Sequence, residues 1–117
     1  MRVTLLKSKL HRAIVTGADL HYEGSIAIGP ELCEAAHFLA HERVEIYNVA
    51  NGARFATYVI HGKPGEIMLN GAAARLVCVG DPVIIAAYAD FEMQEAVRHQ
   101  PRVVMVDGRN NVTQVRG

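Results

Sequence analysis

Apolar and polar residues alternate with a period of two along much of the chain, and that period predicts β-strands. RVTLLK (2–7) and LHRAIVT (10–16) read as a first and a second strand, and DLHYEGSIAI (19–28) as a third. In the third, Leu20, Tyr22, Ile26 and Ile28 share one face, while His21, Glu23, Ser25 and Ala27 share the other. Gly24-Ser25 interrupts this otherwise regular strand. A glycine inside a strand marks a bulge, a bend or a close approach to the backbone. RVEIYNV (43–49) and ARFATYVI (53–60) flank Asn51-Gly52, which predicts a hairpin with a type I′ turn. EIMLN (66–70), DPVIIAAYADF (81–91) and PRVVMVDG (101–108) supply three more strands. The middle one is so continuously apolar that burial on both faces is expected. The polar tail from Asn110 is expected to fray.

The period changes at GPELCEAAHFLA, where Gly29 suits an N-cap, Pro30 the first helical position and Glu31 the positive end of the helix dipole. Leu32, Ala36 and Leu39 would recur on one face of this short helix. GAAARL (71–76) and FEMQEAVRH predict a helical turn or two each. EAAHFLAHERVEIYNV and GAAARLVCVGDPVIIAAY both run from an alanine-rich helical turn into a strand, as two similar halves of a barrel would. Many short strands with brief helices between them favour a small, mainly β barrel over a parallel βαβ fold.

A length of 117 residues fits one domain. Half of the residues are hydrophobic, more than so small a domain covers alone, so a homo-oligomer is expected. Twelve basic residues balance twelve acidic ones, which argues against nucleic acid or an anionic membrane as partner. No apolar run approaches the roughly 20 residues of a membrane span, and the N-terminus lacks a secretory signal pattern. Cys33 and Cys78 form no C-x-x-C, and two buried free thiols in a reducing cytoplasm are the expectation.

Nucleotide-binding loops and the G-x-S-x-G elbow are missing. His37 and His41 are four apart, but no third ligand obviously completes a metal site, so no metal is expected. Polar residues embedded in apolar strands remain: Lys9, His11, Tyr22, Ser25, Arg54, Thr57 and Tyr58, with Asn70 ahead of Gly71 and three alanines. Taken singly, each has an ordinary structural explanation.

Together, KLHRAIVTGADLHYEGS, NVANGARFATYVI, LNGAAARL and GDPVIIAAYA resemble the pyruvoyl-dependent aspartate decarboxylases, from the N-terminus to about residue 91. PRVVMVDG continues the resemblance more loosely. Tyr47 stands where some members carry tryptophan, and the HGKPGEI loop is shorter than in some. The resemblance implies a double-psi β-barrel, a cytoplasmic homotetramer with sites at subunit contacts, and a maturation partner in some cases. It implies cleavage between Gly24 and Ser25 into a small chain, 1–24, and a larger chain, 25–117. The new N-terminus would be a pyruvoyl group made from Ser25, which binds L-aspartate as a Schiff base and makes β-alanine for pantothenate. By resemblance, Thr57 assists cleavage and binds substrate, Tyr58 donates the proton, Arg54 holds a carboxylate, and Lys9, His11, Asn70, Ala72 and Ala73 line the substrate site. A non-catalytic double-psi barrel serving as an interaction module is the alternative.

Overall fold

In a computed structural model describing residues 1–117, the two strands expected at the N-terminus are one, β1 (Arg2–Ile14). Its pairing with β7 (Pro82–Glu92) slips between Leu6 and Ser8 and again between Leu10 and Ala13. Arg12 takes a left-handed φ of 63° at the second slip. These bulges absorb the breaks in alternation that suggest two strands.

The strand expected over 19–28 does not form. Asp19 ends the short β2 (Gly17–Asp19), residues 20–24 turn, and β3 (Ser25–Ile28) begins at the serine. Gly24 is therefore at a strand entrance rather than in a strand interior. Its φ is not left-handed, and a Cβ built on it meets nothing within 4 Å.

α1 (Pro30–Ala36) starts as expected, with Gly29 as N-cap and Pro30 in the first turn. A Cβ on Gly29 would sit 2.7 Å from Glu31 Oε1 and 2.8 Å from Gly65 N, atoms that are hydrogen-bonded to each other. His37 ends the helix at φ 59°, so Leu39 lies beyond it and is exposed. His41 is left-handed too, so the two histidines are not one helical turn apart on a common face.

β4 (Arg43–Asn48) and β5 (Arg54–His61) pair antiparallel as expected. The connection is wider than a two-residue turn: Asn48 N–H bonds Ala53 O, and only Gly52 has positive φ. β6 (Ile67–Asn70), a 3-10 helix (Gly71–Leu76) and β7 (Pro82–Glu92) follow. The first half of β7 is mostly buried, whereas exposure alternates from Tyr88 onward. α2 (Met93–Ala96) precedes β8 (Arg102–Val106). The tail does not fray: β9 (Val112–Arg116) pairs with β8. Asn110 is buried there, and its side chain bonds Ile14 N and O and Gly65 O.

The strand order is β2-β6-β3-β5-β4-β7-β1-β8-β9. Val15 N–H bonds Asp81 O at 2.9 Å and Thr16 N–H bonds Ile67 O at 2.8 Å, so the chain runs on from β1 into β2 beside β6. That continuity closes β1/β2, β6, β3, β5, β4 and β7 into a small barrel. Leu10, Ile26, Ile28, Ile46, Leu69 and Ile85 are among the side chains filling the core.

Candidate active site

Ser25 opens β3 opposite Asn70, the last residue of β6. It is 1% exposed. Its hydroxyl donates to Glu23 O at 3.0 Å and accepts from Asn70 Nδ2 at 3.0 Å. Asn70 Oδ1 is buried with no partner. Such an acceptor costs stability unless something bonds it. Gly71 closes the corner at φ 69°, and a Cβ there would lie 2.7 Å from Gly24 Cα and 2.9 Å from Gly24 N. The close approach suggested by Gly24-Ser25 is therefore real, but Gly71 is the residue whose missing side chain permits it. A cavity of about 510 Å³ adjoins, lined by Tyr22, Ala27, Met68 and Asn70 among others.

Tyr58 is one residue back from Val59, which pairs with Ile26 in parallel register, so Tyr58 is level with Ser25 on the adjacent strand. Arg54, Ala56 and Tyr58 are exposed and share the outer face of β5. Thr57 alternates to the face of buried Val44, forms no side-chain hydrogen bond, and borders a shallow recess of about 250 Å³ with Arg43, Ala56 and Tyr58. Ala72 is exposed and Ala73 packs against the core, both in the 3-10 helix that leads away from Asn70.

Antiparallel register places Lys9, Ala86, Glu45 and Ala56 in one row across four strands. Ile84, Tyr47 and Arg54 form the next row, while His11 lies in the second slip of β1 and pairs instead with Met105 of β8. Directly opposed residues share a face. Glu45 is held by Arg43, whose Nε and Nη2 are each 3.2 Å from Oε2. Neither Lys9 nor Arg54 has an ion-pair partner. The Arg54 guanidinium lies 3.8 Å from the centre of the Tyr47 ring. Burial lowers the His11 pKa below the usual histidine range, and the charges of Lys9, Arg12 and Arg116 lower it further. His11 Nδ1 is buried without a partner. This face collects unpaired positive charge on a protein of zero net charge.

Arg54 lies on β5, the strand that pairs with β3, whereas Lys9 and His11 lie on β1, which pairs with β7 and β8. No cluster of three histidine, cysteine, aspartate or glutamate side chains is present, and no helix is long and apolar enough to cross a membrane. Both thiols are free, but Cys78 is exposed, against expectation, because it lies in the loop after the 3-10 helix. Burial pushes the Cys33 thiol up to about 11. Missed from sequence were the Gly71 cradle and the bond between the Tyr47 and Tyr88 hydroxyls at 2.9 Å. A lone large aromatic after IIAA was the available signal for the latter.

The chain thus sets a glycine-serine bond beside a buried amide in one barrel with a face of unpaired cations. Residues 1–113 match the aspartate decarboxylase family. The chain is 59% identical over 116 residues to the aspartate 1-decarboxylase of Bdellovibrio bacteriovorus, covering 99% of this chain and 94% of that protein. It is 56% identical over 116 residues to that of a Hydrogenobaculum strain (99% and 93% covered). It is 57% identical over 118 residues to that of Pelotomaculum thermopropionicum (99% and 89% covered). The chain belongs to the aspartate decarboxylase family and is an enzyme, a carboxy-lyase.

Proposed function

We propose that the chain cleaves itself between Gly24 and Ser25 and then removes the α-carboxylate of L-aspartate, giving β-alanine and CO₂. The observation that carries this reading is the Ser25 hydroxyl, buried and held between Glu23 O and Asn70 Nδ2 directly after Gly24.

Cleavage uses groups of this chain. Ser25 Oγ adds to the Gly24 carbonyl carbon, and expulsion of the Ser25 nitrogen leaves an ester. Loss of the Ser25 Cα proton and rupture of Cβ–Oγ then free the Gly24 carboxylate and leave a dehydroalanine at 25. Water enters, ammonia leaves, and residue 25 becomes a pyruvoyl group. Asn70 Nδ2–H, already on Oγ, stabilises the charge that gathers there as Cβ–Oγ breaks. Thr57 assists at the carbonyl. Left-handed strain at Gly24 is not part of this account, since its backbone is ordinary.

The corner suits a small keto group. Asn70 keeps one donor on residue 25 and has a free acceptor, and Gly71 leaves the backbone uncrowded. The bound keto group supplies the electron sink that natural side chains lack. Arg54 binds a substrate carboxylate through its planar fork, and Lys9 and His11 add positive charge or donors. Tyr58, level with residue 25, gives a proton to the carbon that loses CO₂. Asn70, Ala72 and Ala73 orient the substrate.

Lys9 and His11 are on β1, which pairs with neither β3 nor β6, and they serve the Ser25 corner of another copy in a homotetramer. Exposed Tyr22, Leu39, Val79 and Val97 are apolar surface for such contacts. The product fits a cytoplasmic role in pantothenate supply, with or without a maturation partner.

Incubation of purified protein with L-aspartate should yield β-alanine and CO₂ in equal amounts, and Ser25→Ala should yield neither. β-Alanine formation by folded Ser25→Ala protein would defeat the proposal.

A further inference from the structure

Tyr88 has no part in the site described so far. It sits on β7, four residues beyond Ile84, the residue that pairs with Tyr47. At about 3.3 Å per residue, some 13 Å of strand separates the two levels. Yet the hydroxyls meet at 2.9 Å. Both phenols therefore lean toward each other along the sheet, over the row that holds Ala86. A larger residue than Ala86 would stand in their path.

The pair adds little to the fold. Neither tyrosine belongs to the buried core, and Tyr88 is 43% exposed. Its effect is on what lies against Tyr47. Arg54 is the directly opposed residue on β5, and its guanidinium lies 3.8 Å from the Tyr47 ring centre. The one nearby carboxylate, Glu45, is taken by Arg43 at 3.2 Å, so Arg54 is stacked but unpaired. Burial, followed by the Tyr88 bond, pushes the Tyr47 phenol up to about 12. At neutral pH the ring is thus an uncharged platform beneath the cation.

We propose that Tyr88 is a positioning residue for substrate: its hydroxyl fixes the Tyr47 ring, and the ring fixes the Arg54 guanidinium for a substrate carboxylate. This rests on the reading of Arg54 as the carboxylate contact. A phenyl ring at 88 keeps the shape but frees Tyr47 to rotate. An indole at 47 has a broader, more electron-rich face and gains less from a hydroxyl partner.

The experiment is a double-mutant cycle on processed enzyme, reading KM and kcat for L-aspartate and the Kd of succinate, which has both carboxylates and no amine. Tyr88→Phe should raise KM and the succinate Kd together by about three- to ten-fold, the worth of one neutral hydrogen bond, with kcat within about two-fold. In the Tyr47→Trp background the same change should have less than about two-fold effect. An unchanged KM in Tyr88→Phe, or an equal rise in both backgrounds, would overturn the role of Tyr88. Arg54→Lys is run alongside. If it leaves KM and the succinate Kd unchanged, the carboxylate role of Arg54 fails, and this inference fails with it. If Arg54→Lys weakens succinate while Tyr88→Phe does not, only the positioning role fails.

Discussion

At the Ser25 corner the polar side-chain atoms of Ser25 and Asn70 are bonded within the chain, apart from Asn70 Oδ1, and are closed off from solvent. On the β1–β7–β4–β5 face, Lys9 and Arg54 have no acidic partner, and Arg54 stands at the surface. The difference follows from what each region is proposed to do. An intramolecular reaction gains from groups already held in place, because no translational freedom is lost at the moment of attack. A face that grips a small anion needs charge that the protein itself has not neutralised. One barrel meets both demands by setting the serine corner on β3 and β6 and the cations on β1 and β5.

The comparison predicts that the regions fail separately. Asn70→Ala removes the donor on Ser25 Oγ. It should slow processing by about 10²- to 10³-fold, the range for losing one donor to a developing charge. The amount of soluble oligomer should stay the same. Gel separation of cleaved and uncleaved chains over time measures this. Cleavage at the wild-type rate would mean the Asn70 bond only stabilises the folded corner.

Arg54→Lys should leave processing untouched and act on binding. It keeps the charge and loses the fork, a contact worth about 1.5–3 kcal/mol. The expected fall in kcat/KM is about 10- to 150-fold. A defect in processing would show that Arg54 also serves the cleavage corner.

The smallest effect concerns His11. Its pKa lies below the usual histidine range, from burial first and then from neighbouring cations. An anion on this face offsets those cations and raises the His11 pKa. Affinity for succinate should therefore strengthen as pH falls toward the lowered His11 pKa, and His11→Gln should flatten that rise. For stability the sign is opposite. The unfolded chain binds the proton more readily than the folded one. The folded state thus loses stability as pH falls from about 6.5 toward the lowered pKa.

Much of the barrel could be read from alternation. β4, β5, β7 and the start of α1 lie where the pattern places them, because each buries one face or both against the core. The failures have physical causes. Leu20 and Tyr22 alternate correctly, but β6 ends at Asn70, opposite Ser25, so nothing remains for them to pair with. β1 reads as two strands because bulges are invisible to a period of two. The tail is ordered by Asn110, whose side chain bonds Ile14, 96 residues away. At the site, the residues that carry charge or a hydroxyl were legible by type. The Gly71 cradle was not, since only the folded chain brings Gly71 against Gly24.

The central claim is that the Ser25 corner converts its own backbone into the reactive group, and intact-mass spectrometry of purified protein tests it most directly. The account predicts two chains, of 24 and 93 residues, in place of the 117-residue chain. The larger should be lighter by one ammonia than a peptide beginning with serine, and Ser25→Ala should remain whole. A single uncleaved chain in fully active enzyme would contradict it.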